Sequence, residues 1–190
     1  MSLDFTLLED AELAALTLAG RKAAFGEIVS RHRDRVYRLV RGHIGDAEEA
    51  LDVTQESFAS AYVGLQGYDP TRPLIAWLVR IAVNKSRDWR RRQRVRRFLT
   101  FASALPAGTV EAVADERPDS EVEAGDRAEL DRLWGAIADL PQGLKEPLLL
   151  STVDGMSHQQ VGDVLGLTPK AVEVRIYRAR ERLRAKFAAR

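Results

Sequence analysis

The side chains with the most to offer chemically are guanidinium groups, and they gather in two places. Arg87–Arg97 sets 7 arginines against 1 aspartate, with Trp89 among them, and Thr168–Arg190 sets 8 Lys/Arg against 2 Asp/Glu. Each run carries a local charge of +6 in a chain whose total is only +1. The chemistry open to such runs is recognition rather than bond-making. A guanidinium neutralises a phosphate, and an indole stacks on an exposed base. Catalysis has no comparable foothold: there is no cysteine, and His32, His43 and His158 lie far apart. No carboxylate cluster has metal-ligand spacing, and no nucleophile stands beside a base. Neither an enzyme, a metal site nor a cofactor is expected.

Helices must position these groups. Ser157 and Gln160 have the spacing of a capping box, Val161 and Leu165 fall one turn apart, and Gly166 stops the helix. Thr168 is a hydroxyl N-cap and Pro169 takes the first helical position, where its missing N–H costs nothing. Two helices joined by so short a turn must cross. In the second, Val172, Ile176, Ala179, Leu183 and Phe187 recur at helical steps and should pack inward. Lys170, Glu173, Val174, Tyr177 and Arg178 face the other way, with Arg175 on the flank. This is the layout of a helix-turn-helix whose second helix enters a DNA major groove.

Upstream, Asp10 to Ala19 reads as a short helix stopped at Gly20, and Phe25 to Ile44 keeps helical spacing up to Gly45. Asp46 with Glu49 repeats the cap pattern. Leu51, Thr54, Phe58, Ala61, Tyr62 and Leu65 then define the expected buried face of a third helix. On its flank Asp52, Gln55 and Glu56 form an exposed polar and acidic cluster. After the break between Pro70 and Pro73, Leu74, Trp77, Leu78 and Ile81 open a fourth helix that continues through Asn84 into the arginine run.

From Ala102 to Asp126 periodicity disappears, and 7 Asp/Glu against 1 Arg give a local charge of −6, the signature of a linker. Helical patterning resumes near Asp126, a cap with Glu129, and runs through Leu130, Leu133, Trp134, Ile137 and Leu140. A further helix is expected from Leu144 to Val153, its start blurred by Pro147. The fold class is therefore all-α: two small helical domains, 1–100 and 127–190, joined by an acidic flexible linker over 101–126, the C-terminal one containing the helix-turn-helix. The charged, proline-containing tether is expected to hold the domains apart. At 190 residues, 45% hydrophobic and 30% charged, the chain suits this plan. No run of 18 apolar residues exists, and Asp4, Glu9 and Asp10 sit where a signal peptide needs positive charge, so a cytoplasmic protein without direct membrane contact is expected.

Taken in order, these features resemble a bacterial RNA polymerase sigma factor of the sigma-70 family, in its extracytoplasmic-function group. The resemblance rests on AFGEIVSRH (Ala24–His32), DVTQESFASAY (Asp52–Tyr62) and RPLIAWLVRIAVNKSRDWRRR (Arg72–Arg92) in the first domain. In the second it rests on LPQGLKEPLLL (Leu140–Leu150), DGMSHQQVGDVLGLT (Asp154–Thr168) and VRIYRARERLR (Val174–Arg184). It implies that Asp52, Gln55 and Glu56 dock on the clamp helices of the polymerase β′ subunit, and that the second domain meets the β flap. It assigns the minus-ten promoter element to Asn84, Lys85, Arg87, Trp89, Arg90 and Arg91, with Asn84 at a helix junction beside a pocket for a flipped base. The minus-thirty-five duplex would fall to Lys170, Glu173, Val174, Arg175, Tyr177 and Arg178. The resemblance further implies an anti-sigma protein covering the polymerase-binding surfaces of both domains, a monomer when free of partners, and a linker that threads the polymerase cleft along the later path of RNA.

Two other classes stay open on the residues alone. One is a stand-alone helix-turn-helix repressor or activator, which would need a dimer or ligand domain; the other is an RNA-binding or nuclease-like module built on the arginine run.

Overall fold

Local signals cut the chain into helices where the spacing predicts. In the computed structural model the described residues are 4–103, 121–153 and 155–188. They form α1 (Asp10–Leu18), α2 (Lys22–Ile44), α3 (Ala47–Gly64), α4 (Leu74–Ser103), α5 (Glu121–Ala138), α6 (Gln142–Thr152), α7 (His158–Leu165) and α8 (Pro169–Ala188), with no strand among the described residues. Gly45 caps α2 at φ +90° and Gly166 caps α7 at φ +69°, a left-handed geometry in which a Cβ is strained. Asp46 accepts from the Glu49 N–H, and the Ser157–Gln160 box closes in both directions.

The first domain is built around α2, which packs on α1, α3 and α4. Leu13, Ile28, Val36, Leu39, Val40, Val53, Leu74, Leu78 and Val79 form its buried interior. In the second domain α6 and α7 pack on α8 through Leu149, Leu150, Val161, Val172, Ile176 and Ala179.

Several expected core positions are corrected. Leu51 is 48% exposed and Tyr62 42% exposed, because α3 turns Ala50, Val53 and Ser57 inward instead; small residues there let α2 and α4 close on it. Tyr62 lays its ring edge-on to Phe25 at 5.0 Å. Phe187 is 45% exposed, since the last turns of α8 run beyond the elements that cover Val172 and Ile176. Leu130 and Leu133 are exposed, and α5 begins at Glu121, so Asp126 is interior to the helix rather than its cap. The helix α6 starts at Gln142, with Pro141 at the N-cap and Pro147 inside, where it removes only one intrahelical bond. The linker's acidic stretch from 104 to 120 lies outside the described residues. The helices α4 and α5 enter the expected 101–126 segment from either side.

The domains are not held apart. The end of α2 packs on α5 and α6, and the buried side chains of both halves form one contiguous cluster. Gly42 makes this approach possible: a Cβ built on it would lie 2.4 Å from a Leu149 methyl, and its three nearest atoms all belong to Leu149. Around that contact Arg41 donates to Asp131 at 2.6 Å and the fully buried Lys145 donates to the backbone oxygens of His43 and Ala138.

Candidate nucleic-acid interface

The arginine run owes its position to one continuous helix. Thirty residues at 1.5 Å each make α4 about 45 Å long. Leu74, Leu78, Val79, Ala82 and Val83 bury its first half, and the later turns carry the guanidiniums away from that core. Asn84 is exposed in the middle of this unbroken helix, so the helix junction implied for it is absent there. An α-helix continues through the position because Leu78–Val83 keeps core contacts right up to it and no Gly or Pro interrupts.

The candidate minus-ten residues occupy different environments. Asn84 and Arg91 are exposed, Arg91 pairing loosely with Asp88 at 3.3 Å, and Lys85 is half-buried. Trp89 is half-buried against the core, and its Nε1–H donates to a Glu49 carboxylate oxygen at 2.7 Å. One edge of the indole is therefore fixed by a hydrogen bond. Arg87 donates through Nε and Nη2 to both carboxylate oxygens of Glu146, at 2.7 and 2.6 Å, which raises the guanidinium pKa further. Arg90 reaches the Ala138 carbonyl at 3.5 Å.

The candidate polymerase-facing residues Asp52, Gln55 and Glu56 are exposed together on α3. Glu56 meets Arg92 at 3.4 Å, which joins this acidic cluster to the basic helix. Gln55 and the exposed Leu51 border a groove of about 590 Å³ between α2 and α3, lined also by Val29, Tyr37 and Phe58. An apolar side chain beside acidic ones at a groove is a surface suited to a protein partner.

On α8 the inward stripe leaves Lys170, Glu173, Val174, Tyr177 and Arg178 exposed, with Tyr177 at 64%, while Arg175 is half-buried. Lys170 donates to Glu173 at 2.8 Å, and this bond lowers the carboxyl pKa, so Glu173 is present as an acceptor-only carboxylate. The helix-turn-helix geometry that presents this face depends on Gly162. A Cβ there would lie 2.4 Å from the Leu167 backbone oxygen, so the turn packs directly on the helix before it.

Sequence reasoning left Glu49 and Glu146 without a role, although they hold Trp89 and Arg87 respectively. Glu49 was visible only as a cap, and Glu146 only as one position of a leucine-rich motif; their partners lie 40 and 59 residues away.

Comparison with known proteins agrees with this layout in both halves. Residues 28–96 match the family model Sigma-70 region 2, and residues 130–183 match Sigma-70, region 4. The chain is 40% identical over 182 residues to the RNA polymerase sigma factor CnrH of Cupriavidus metallidurans, covering 93% of this chain and 94% of that protein. It is 31% identical over 169 residues to the ECF RNA polymerase sigma factor SigW of Bacillus subtilis, covering 87% and 89%. A solved structure of CnrH in complex with the cytosolic domain of CnrY superposes with a TM-score of 0.69 at 33% identity, covering 95% of this chain and 97% of that one.

Proposed function

Because the chain belongs to the extracytoplasmic-function group of the sigma-70 family of RNA polymerase sigma factors, we propose how its surfaces divide the work of promoter-specific initiation. The exposed cluster Asp52, Gln55 and Glu56, with Leu51 at the neighbouring groove, docks on the clamp helices of β′, and the second domain meets the β flap. Lys85, Arg87, Arg90 and Arg91 hold the phosphates of the melted minus-ten strand, and Trp89 stacks on a base with its ring oriented by Glu49. Asn84 offers a polar edge to the same strand. From α8, Glu173, Val174 and Tyr177 approach base edges of the minus-thirty-five duplex, and Lys170, Arg175 and Arg178 divide between bases and phosphates. An anti-sigma factor that covers both domains supplies the control, a reading supported by the likeness to CnrH bound to CnrY.

The observation that carries this reading is the separation of two cationic helical faces onto two folded units, each matched by its own family region. Transcription with purified core polymerase over a library of genomic fragments tests it. Start sites sharing one minus-ten and one minus-thirty-five sequence are expected. Arg178→Ala should weaken use of the upstream element, and Arg91→Ala should slow opening. Failure of the protein to associate with core polymerase would overturn the reading. Tight binding to duplex DNA without polymerase would favour the stand-alone helix-turn-helix regulator instead.

A further inference from the structure

The later turns of α4 carry apolar side chains that the promoter reading does not use. Ser86, Trp89 and Gln93 mark the side of the helix that meets the first domain: Ser86 is buried, Trp89 packs on the core, and the Gln93 amide donates to Glu49 at 3.5 Å. At about 100° per residue Val95 lies half a turn round the helix from Ser86, and Phe98 and Leu99 fall beside it one turn on. All three are exposed, Phe98 at 71%. Arg91 and Arg92 stand one turn before them on the same side, and Arg94 and Arg96 stand on the two flanks. The acids nearby are held loosely, Asp88 to Arg91 at 3.3 Å and Glu56 to Arg92 at 3.4 Å, and exposed pairs of that kind are weak.

An apolar trio rimmed on both flanks by guanidiniums selects its partner by two tests at once. The partner must be anionic on either side of the helix and apolar beneath it. A nucleic-acid backbone meets the first demand, but the branched side chains of Val95 and Leu99 cannot stack on a base as an aromatic ring does. A bilayer of acidic phospholipid meets both, with phosphates at the rim and acyl chains below. The face also points away from the domain that buries the start of α4, so a flat surface can approach it. The chain as a whole is nearly neutral, 29 Lys/Arg against 28 Asp/Glu, so the attraction must come from this local patch.

We propose that the last turns of α4 lie on anionic phospholipid bilayers, with Val95, Phe98 and Leu99 sunk below the headgroups and Arg92, Arg94 and Arg96 against the headgroup phosphates. No helix among the described residues is long and apolar enough to cross a membrane. A helix that lies on the surface needs no such span, so the expectation of no membrane contact gives way at this face. The proposal goes beyond promoter recognition and does not rest on it.

The test uses the full-length protein and sucrose-loaded vesicles, one set of phosphatidylcholine alone and one with a third of the lipid replaced by phosphatidylglycerol. The protein is expected to sediment with the second set and not the first, and added salt should release it. Phe98→Ser should weaken that binding about tenfold, and Arg94→Gln with Arg96→Gln about fivefold per charge. Arg94→Lys with Arg96→Lys should restore it. Phe98→Trp should keep it and become quenched by lipids brominated along the acyl chain, a signal that a merely structural role would not produce. Inorganic phosphate matched to the vesicles' lipid phosphate should not displace the protein, because it offers nothing to the apolar trio.

Failure to sediment with anionic vesicles would overturn the proposal, as would equal binding to neutral ones or displacement by phosphate alone. So would undiminished vesicle binding in Phe98→Ser, which would assign the membrane to another surface. If Phe98→Ser weakens binding of a single-stranded oligonucleotide as much as that of vesicles, the face reads bases instead. Sedimentation without any vesicle would show that it meets a second copy. Each of these results leaves the promoter reading standing, since none involves polymerase.

Discussion

His43 is the residue through which the protein's stability should respond to pH. It is fully buried at the end of α2, faced by Lys145 from α6 and by Arg87 and Arg90 from α4. Burial first, and then those three cations, push its pKa from 6.5 down to about 3. The folded protein therefore keeps it neutral while the unfolded chain takes up a proton below 6.5. Stability is unaffected by His43 above that pH and is lost as pH falls through the window toward 3, at about 1.4 kcal/mol per unit. Lys145 acts with the same sign over a higher window: burial and then Arg90 lower its pKa from 10.5 to about 7, so stability rises from pH 7 toward 10.5. Urea unfolding at pH 6.5 and pH 5 should differ by about 2 kcal/mol from His43 alone. His43→Gln should flatten that slope; an unchanged slope would show that His43 is not held neutral.

At the scale of the helix, two glycines predict opposite outcomes for the same substitution. Gly26 lies in α2 with open space around a built Cβ, so Gly26→Ala should stabilise by about 0.5–1 kcal/mol through backbone entropy alone. Gly162 lies in α7, where the Cβ meets a backbone oxygen that has no flexible end to move. Gly162→Ala should cost more than 2 kcal/mol in thermal or urea unfolding and should abolish the crossing angle that presents α8. Both are helical glycines in the sequence, and only the packing separates them.

The same distinction explains how much could be read from the sequence. The caps at Asp46, Ser157 and Thr168 and the stops at Gly45 and Gly166 were legible, because each is a contact over three or four residues. The buried stripe of α8 was legible as far as Ala179, because apolar spacing and packing coincide there. In α3 they do not: Ala50 and Ser57 are inside and Leu51 is outside, since close helix contacts select small residues over large ones. The exposed faces carrying Asp52, Gln55, Glu56, Tyr177 and Arg178 were legible as faces. The hold of Glu146 on Arg87 was not, because a charged residue between leucines gives no periodic signal for a partner 59 residues away.

At the scale of the whole molecule, the chain should unfold as one unit despite its two-domain plan. A contiguous set of buried side chains crosses from α2 to α6, and the Lys145–His43 contact joins residues 102 apart. Tryptophan fluorescence samples the first domain through Trp77 and Trp89 and the second through Trp134, while circular dichroism samples every helix. The two signals should coincide in the parent and split into two transitions in Gly42→Leu. Coincident transitions in Gly42→Leu would mean that the domains remain coupled without that contact.

One consequence concerns how copies of this protein behave toward each other in concentrated solution. The later turns of α4 extend past the body that buries its beginning, and Val95 and Phe98 stand in solvent on a rod studded with Arg92 and Arg94. Mutual repulsion between those rods keeps the oily side chains of neighbouring molecules from meeting. Salt shortens the reach of that repulsion to about 3 Å at 1 M, while it leaves the attraction between apolar groups intact. Light scattering should therefore rise as salt is added, and Phe98→Ser should abolish the rise.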